Sequence, residues 1–256
     1  MTQSESDVDL SRDAFLSGQL QILQPRQGYR AGIDPVLLAA SVPAQAGDSI
    51  LDLGCGAGVA GLCLARRVPG ITLTGLELQA QYAELARHNS AENGIDMTVI
   101  LGDIAAPPTE IKDKQFSHVI ANPPYFDQAS RTAADDIGRE VALAGSTPLS
   151  DWVATAAKRT CPKGTVTFIH RTERLPDLLS AFRSHLGSLE ALPLAPRSGR
   201  AAKLILLRGR KNGNAEFRLH QPWILHEGDK HLADAENYTP ATACILRDAA
   251  SLDFPA

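Results

Sequence analysis

The apolar positions of this 256-residue chain fall into short blocks separated by stretches of helical spacing. Ser49-Ile50-Leu51-Asp52-Leu53 is a compact apolar run that predicts a buried strand, and Val59 to about Val68 predicts a helix after it. Ile71 to Leu78 predicts a second strand ending on Glu77, and Gln79 to Asn93 a helix closed by Gly94. Met97 to Leu101 predicts a third strand that delivers Gly102-Asp103. Phe116 to Ala121 predicts a fourth, stopped by Pro123 and Pro124, neither of which has an N–H to give to a ladder. This β-α-β-α-β period predicts an α/β fold, with a mostly parallel sheet and helices on both faces.

The flanks are less regular. Phe15 to Gln24 alternates weakly up to Pro25 and predicts a short strand or hairpin, with a turn at Gln27-Gly28-Tyr29-Arg30. Asp34-Pro35 reads as a helix start, a capping carboxylate followed by proline, with Leu37 and Leu38 on the apolar face. Asp127 to Thr147 has no clear periodicity and predicts a long loop. Beyond it come a helix over Pro148–Thr160, a strand over Thr165–His170, a helix over Leu175–Leu186 and a strand over Lys203–Arg208. Asn212-Gly213 is a type I′ hairpin signal, with Glu216 to Leu225 as the returning strand. The tail from His226 to Ala256 is polar. Residues 1–14 are expected to be disordered and 15–256 to form a single domain, since no linker or repeat divides them.

Composition narrows the setting. No apolar run reaches 18 residues, and Met1 to Asp9 has neither the basic nor the apolar region of a secretion signal. Cys55, Cys63, Cys161 and Cys244 show no CxxC pair and no His/Cys ligand spacing. A cytoplasmic protein with reduced thiols, no zinc and no membrane contact is therefore expected. The net charge of −4 hides an asymmetry: Lys158 to Arg218 holds 13 Lys/Arg against 4 Asp/Glu. That excess of +9 suggests a basic face for phosphates, with Arg197, Arg200, Arg208, Arg210 and Lys211 as candidates; scattered solvated charge is the equal alternative.

Candidate chemistry sits at two strand ends. Gly54-Cys55-Gly56-Ala57-Gly58 follows the first strand directly, where glycines let the backbone turn sharply and approach a ligand closely. Glu77 lies 19 residues after Gly58, where a carboxylate can accept both hydroxyls of a ribose. Asp103 stands where a carboxylate can accept from an adenine amino group. Both acids can instead merely cap the helices that follow them. Gly56-Ala57-Gly58-Val59-Ala60-Gly61 matches the dinucleotide fingerprint, but two residues too late after the strand for a pyrophosphate.

The second strand end carries Asn122-Pro123-Pro124-Tyr125-Phe126. The Asn122 side-chain oxygen and the Pro123 carbonyl can accept from the two N–H bonds of an exocyclic amino group, which draws its delocalised lone pair onto nitrogen. Tyr125 can stack on a flipped-out base or an amide plane.

Leu51-Asp52-Leu53-Gly54-Cys55-Gly56-Ala57-Gly58 resembles the first motif of the class I S-adenosylmethionine-dependent methyltransferases. That resemblance implies a Rossmann-like, seven-stranded mostly parallel sheet with a final antiparallel strand, at Lys203–Arg208 or its hairpin partner. It also implies neighbouring first and fourth strands, so that glycine loop and Asn122-Tyr125 lie side by side. The cofactor set becomes Tyr29, Arg30, Asp52, Gly54, Cys55, Gly56, Gly58, Glu77, Leu78, Asp103, Ile104 and Asn122, and the catalytic set Asn122, Pro123, Pro124 and Tyr125. Tyr29, Arg30 and Asp34 can close over the methionine end of the cofactor, or serve as a core aromatic and a helix cap.

The Asn-Pro-Pro-Tyr motif is similar to that of amino-group methyltransferases acting on adenine-N6, guanine-N2 or glutamine-N5. Gln24-Pro25 through Gly28-Tyr29-Arg30-Ala31-Gly32-Ile33-Asp34, with Ile224-Leu225-His226 and Tyr238-Thr239-Pro240, resembles the bacterial tRNA adenine-N6 methyltransferases of the valine-tRNA type. The resemblance implies N6-methyladenosine beside the anticodon as product and tRNA as partner. Glutamine-N5 methylation of a protein, a non-catalytic module that keeps S-adenosylmethionine for RNA interaction, and a NAD-dependent oxidoreductase remain as the alternatives, in that order.

Overall fold

A computed structural model describes residues 9–125, 147–228 and 237–254. Phe126, and the loop expected over Asp127–Thr147 up to residue 146, lie outside the described residues. Strands β1 (Leu10–Phe15) and β2 (Leu20–Pro25) pair antiparallel as a separate two-stranded sheet. The ordered chain therefore starts at least five residues earlier than Phe15, where the sequence placed the end of disorder.

Next come α1 (Asp34–Ser41), β3 (Ser49–Leu53), α2 (Val59–Arg67), β4 (Thr72–Glu77), α3 (Ala80–Glu92) and β5 (Met97–Leu101). A one-turn α4 (Thr109–Lys112), β6 (Phe116–Ala121), α5 (Leu149–Arg159) and β7 (Thr160–Arg171) follow. The chain closes with α6 (Leu175–Arg183), β8 (Gly187–Ala195), β9 (Leu204–Arg210), β10 (Arg218–Leu219), β11 (Trp223–Ile224) and α7 (Pro240–Asp248).

The main sheet runs β10-β8-β9-β7-β6-β3-β4-β5, with β11 also on β8. β3 lies between β4 and β6, all parallel, and β9 is antiparallel to both β7 and β8. Successive strand residues feed opposite cores. Ile50, Ile120 and Ile169 pack with α1, α2, α3 and α7, whereas Leu51, Val119, Ala121 and Phe168 pack with α4, α5 and α6. No helix among the described residues is long and apolar enough to cross a membrane.

Two expectations fail, for physical reasons. Asn212 does turn the chain, with φ of +58°, but Glu216–Leu225 does not return along β9. Both edges of β9 are already occupied by β7 and β8, so the chain crosses to the outer edge of β8 and pairs there in two short pieces. Among the described residues the sheet consequently has nine strands, seven long and two of two residues each. β8 escaped the sequence pattern because Pro193 interrupts it. Pro193 falls between the pieces paired at Glu190–Ala191 and Leu194–Ala195, where no ladder bond is asked of it on that side. The polar tail also hides α7, which starts on Thr239, whose hydroxyl accepts from Thr242 N–H at 3.3 Å.

The N-terminal hairpin is attached by asparagines on α3 rather than by a third strand. Asn89 Oδ1 accepts from Leu23 N–H at 2.8 Å, and its Nδ2 donates to the carbonyls of Leu23 and Ala57 at 3.1 and 2.9 Å. Asn93, one turn on, does the same for both backbone groups of Gln21 at 2.8 Å. Fully buried Asn89 thus ties β2 to the glycine loop. Asn89→Ala leaves three backbone groups without that partner and is expected to cost about 2–4 kcal/mol. Urea unfolding checks it; an unchanged midpoint would remove Asn89 from this role.

Candidate active site

β3 delivers the glycine loop and its neighbour β6 delivers Asn122, so both motifs open at the same end of the sheet. Gly54, Gly56 and Gly58 all take left-handed φ, +65°, +54° and +87°. The close approach is tightest at Gly54, where an added Cβ would stand 2.5 Å from the Trp152 ring of α5. The turn is fastened to β4, since Gly54 and Cys55 both donate to the Leu76 carbonyl at 2.7 and 3.1 Å.

A cleft beside this loop is lined by Asp52, Gly54, Cys55, Ala57, Tyr29 and Asn122, together with Gln24, Ala31, Pro35, Val59, Ala60 and Tyr82. Tyr29 spans it: its ring lies against Gly56, its hydroxyl accepts from Asn122 Nδ2 at 3.0 Å, and its carbonyl accepts from Tyr82 Oη at 3.0 Å. Burial raises the Tyr29 phenol, with Asp34 and Asp52 adding to it, so it remains neutral. Asn122 Oδ1 is buried and has no hydrogen-bond partner among the described residues. An acceptor left bare in this way costs free energy unless a ligand donor meets it.

Two acids sit beneath the loop. Glu77, buried at the end of β4, accepts from Gly56 N–H at 2.9 Å and Gln79 N–H at 2.8 Å; burial raises its pKa against these bonds. Asp52 accepts from Gly61 N–H at 3.0 Å, and burial, with the Glu77 charge adding, pushes its pKa up to about 7. A folded-state pKa above the ordinary carboxylate value means that the native form holds this proton longer. The group therefore takes stability away as pH rises from about 4 to about 7. Asp52→Asn removes that loss, so its Tm relative to wild type should be more favourable at pH 8 than at pH 5. A Tm difference independent of pH would contradict it.

Tyr125 donates to Asp34 Oδ2 at 2.6 Å, its ring centroid lies 5.1 Å from that of buried His170, and the Arg171 guanidinium covers it at 5.6 Å. Burial raises its phenol, and the Asp34 charge and hydrogen bond add to this. Asp34 is therefore committed to Tyr125 and caps nothing: the N-cap is Ile33, with Asp34 and Pro35 as the first helical residues.

The remaining candidates are placed elsewhere. Arg30 does not line the cleft; it forms an ion pair with Asp13 of β1 at 2.8 Å. Asp103 Oδ1 accepts from Ala105 N–H at 2.8 Å, the local cap that the sequence left open. Ile104 is buried beside α5, with its carbonyl accepting from Thr155. Leu78 is 37% exposed at the end of β4. Gly58 packs on Leu62 and Ala86 as the N-cap of α2. Pro123 is buried and Pro124 half-buried.

Of the phosphate candidates, Arg197 is buried on the Glu227 and Gly228 carbonyls, and Arg208 pairs with Glu190 at 2.8 Å under Phe254. Lys211 donates to the Ala157 carbonyl at 2.9 Å. Only Arg200 and Arg210 of that set are exposed. Cleft residue Tyr82 gave no motif signal, and Gln24 stood in the family-like stretch without being assigned to the site. Gln24 is 2% exposed and ties Asp13 to Ala31, bonds no sequence pattern announces.

This strand order, with the glycine loop after β3 and an antiparallel β9, is the fold of the class I methyltransferases. A family model described as methyltransferase small domain matches residues 31–147. A tRNA1(Val) (adenine(37)-N6)-methyltransferase of Porphyromonas gingivalis is 33% identical over 65% of this chain and 68% of that one. An enzyme of the same name from Haemophilus influenzae is 26% identical over 91% of this chain and 97% of that one. The chain belongs to this family of tRNA1(Val) (adenine(37)-N6)-methyltransferases. Among solved structures, a predicted O-methyltransferase of Agrobacterium tumefaciens superposes with a TM-score of 0.70 at 26% identity, over 87% of this chain and all of that one. A 16S rRNA N2 methyltransferase of T. thermophilus, solved with AdoMet and guanosine, has a TM-score of 0.57 at 18% identity over 82% of this chain and 52% of that one, a likeness of fold alone.

Proposed function

We propose that this chain transfers a methyl group from S-adenosylmethionine to the exocyclic N6 of adenine in tRNA, at the adenosine beside the anticodon, in the cytoplasm. The observation that carries the reading is the buried Oδ1 of Asn122, without a partner among the described residues, at the mouth of the glycine-loop cleft. An –NH2 donor is the group such an acceptor suits.

The residues present fit the cofactor. The left-handed glycines leave backbone open to close approach, buried Glu77 stands at the β4 end where ribose hydroxyls would be accepted, and exposed Leu78 offers an apolar surface beside it. S-adenosylmethionine supplies the electrophilic methyl of its sulfonium. Asn122 Oδ1 and the Pro123 carbonyl would hold the two N–H bonds of the amino group and favour its pyramidal, nucleophilic form, an interaction stronger in the transition state than in the ground state. The nitrogen gains the methyl first and loses a proton only once cationic, so no general base has to act beforehand. The neutral Tyr29 hydroxyl fixes the amide orientation of Asn122 by accepting from its Nδ2.

Glu77→Ala is expected to weaken S-adenosylmethionine binding several-fold in titration calorimetry; unchanged affinity would remove Glu77 from the ribose site. The reading as a whole is tested by methyl transfer from labelled S-adenosylmethionine into undermethylated total tRNA and, in parallel, total protein. Label recovered as N6-methyladenosine is the expected result. Label on a protein glutamine would overturn the acceptor and keep the chemistry.

A further inference from the structure

The carboxyl end of β7 carries a cation that the methyl-transfer site leaves uncommitted. Arg171 closes that strand, is exposed, and lies over the Tyr125 ring without a carboxylate partner among the described residues. Strand register brings two more cations beside it. Arg171 faces Leu204 across the ladder, and Thr172 N–H donates to the Lys203 carbonyl at 3.1 Å, so Lys203 stands next to it. Arg200 occupies the turn that leads into β9, its N–H on the Arg197 carbonyl at 3.1 Å. Both side chains are exposed. The neighbouring Arg174 is committed to Asp177 at 2.8 Å, and buried Arg197 to the Glu227 and Gly228 carbonyls. Among the described residues, the other exposed acids near this end are Glu173 and Glu227, which the three cations outnumber, while Asp34 is engaged by the Tyr125 hydroxyl at 2.6 Å.

The same register divides the basic stretch of the sequence in two. Arg210 pairs with Thr165 at the opposite end of β7–β9, and Lys163 joins Lys211 there through its backbone. At about 3.3 Å per residue, that end lies roughly 20 Å along the sheet from Arg171. Those cations are remote from Asn122, whereas Arg171 touches the ring that follows it.

We propose that Arg171, Lys203 and Arg200 form the contact for the RNA phosphodiester backbone flanking the target nucleotide, an inference that rests on the tRNA reading above. A nucleotide turned out toward Asn122 brings its own phosphates to the rim of the cleft, where Arg171 stands. A guanidinium can stack on an aromatic face and still present N–H bonds to a phosphate, which a lysine ammonium does less well. Lys203 and Arg200 extend the positive rim along the path the strand would follow. Such contacts carry affinity and salt dependence rather than sequence choice.

The test compares Arg171→Gln/Arg200→Gln/Lys203→Gln with the opposite-end control Lys163→Gln/Arg210→Gln. Filter binding of an unmodified valine tRNA transcript is measured across salt concentrations, with S-adenosylmethionine affinity as the check of folding. The triple variant should bind about tenfold or more weakly near 0.15 M salt, and its log Kd should depend on log salt with a slope shallower by about 2 to 3. The control should match wild type. If the triple variant loses cofactor binding, Lys203→Gln alone takes its place, with an expected slope change of about 1. Wild-type affinity and slope in the triple variant, or the loss appearing in the control pair, would overturn the proposal. Wild-type protein that binds S-adenosylmethionine but no tRNA would instead overturn the acceptor reading on which it rests.

Discussion

Asn122→Ala is expected to lower kcat on tRNA about 100- to 1,000-fold, the range seen when one preorganised transition-state hydrogen bond is removed. Affinity for S-adenosylmethionine should remain close to wild type, because Oδ1 has no partner to lose among the described residues. The substitution also deprives the Tyr29 hydroxyl of the Nδ2 donor, so Tyr29 gains freedom at the rim. Asn122→Asp separates the two effects. It restores an acceptor for the substrate and lets the Tyr29 hydroxyl turn to donate, but it places a charge in the cleft that Asp52 also lines. Single-turnover rates with calorimetric cofactor affinity make the distinction. If rate and affinity fell together in Asn122→Ala, the residue would belong to cofactor binding or folding instead of to the amino group.

Gly54→Ala carries the largest expected loss of stability. Two costs add at this position. A left-handed φ of +65° costs an alanine about 1–2 kcal/mol relative to glycine, and its Cβ would stand 2.5 Å from Trp152 Cη2. Overpacking of that kind typically costs a further 1–3 kcal/mol, so about 2–5 kcal/mol in all. Because Gly54 and Cys55 hang on the Leu76 carbonyl, any shift that relieves the clash also moves the loop that faces the cleft. The two costs can be told apart by Trp152→Phe, which removes the clashing ring edge. In that background Gly54→Ala should keep only the backbone part. Equal losses in both backgrounds would show that Trp152 does not limit the position.

What the sequence disclosed follows from how local each signal is. The run Leu51–Gly58 carries strand, turn and helix start within a few residues, and the glycines at positive φ leave little choice of structure. Asn122 followed by two prolines is equally local, and its place beside the glycine loop follows from the order of parallel strands. Contacts between distant residues were not legible. Asp34 reads as a helix cap until Tyr125, 91 positions away, takes its carboxylate, and Arg30 points at the cleft only until Asp13 claims it. Asn89 and Asn93 read as polar helix positions, although they satisfy the free edge of β2.

Charge counting could not say which cations share one face, for a related reason. The excess of basic residues between Lys158 and Arg218 is real, but antiparallel β9 returns the chain across the whole sheet and sends its cations to opposite ends. Arg208 was lost on the way to Glu190, and Arg197 to the Glu227 and Gly228 carbonyls. The strand β8 was hidden by Pro193, and the predicted hairpin was lost because β9 has no free edge. Each of these is a tertiary constraint acting on a segment whose own residues permit more than one outcome.

If Asn122 receives the exocyclic amino group of one adenosine beside the anticodon, methylation must depend on that group being present. The most direct measurement is methyl incorporation into two valine tRNA transcripts, one with adenosine immediately 3′ of the anticodon and one with purine riboside, which lacks the amino group, at that position. Close to one methyl per molecule is expected in the first, recovered as N6-methyladenosine, and none in the second. Equal labelling of both transcripts would contradict that role of Asn122, because the methyl would then be going to an atom that the Asn122 acceptor does not hold.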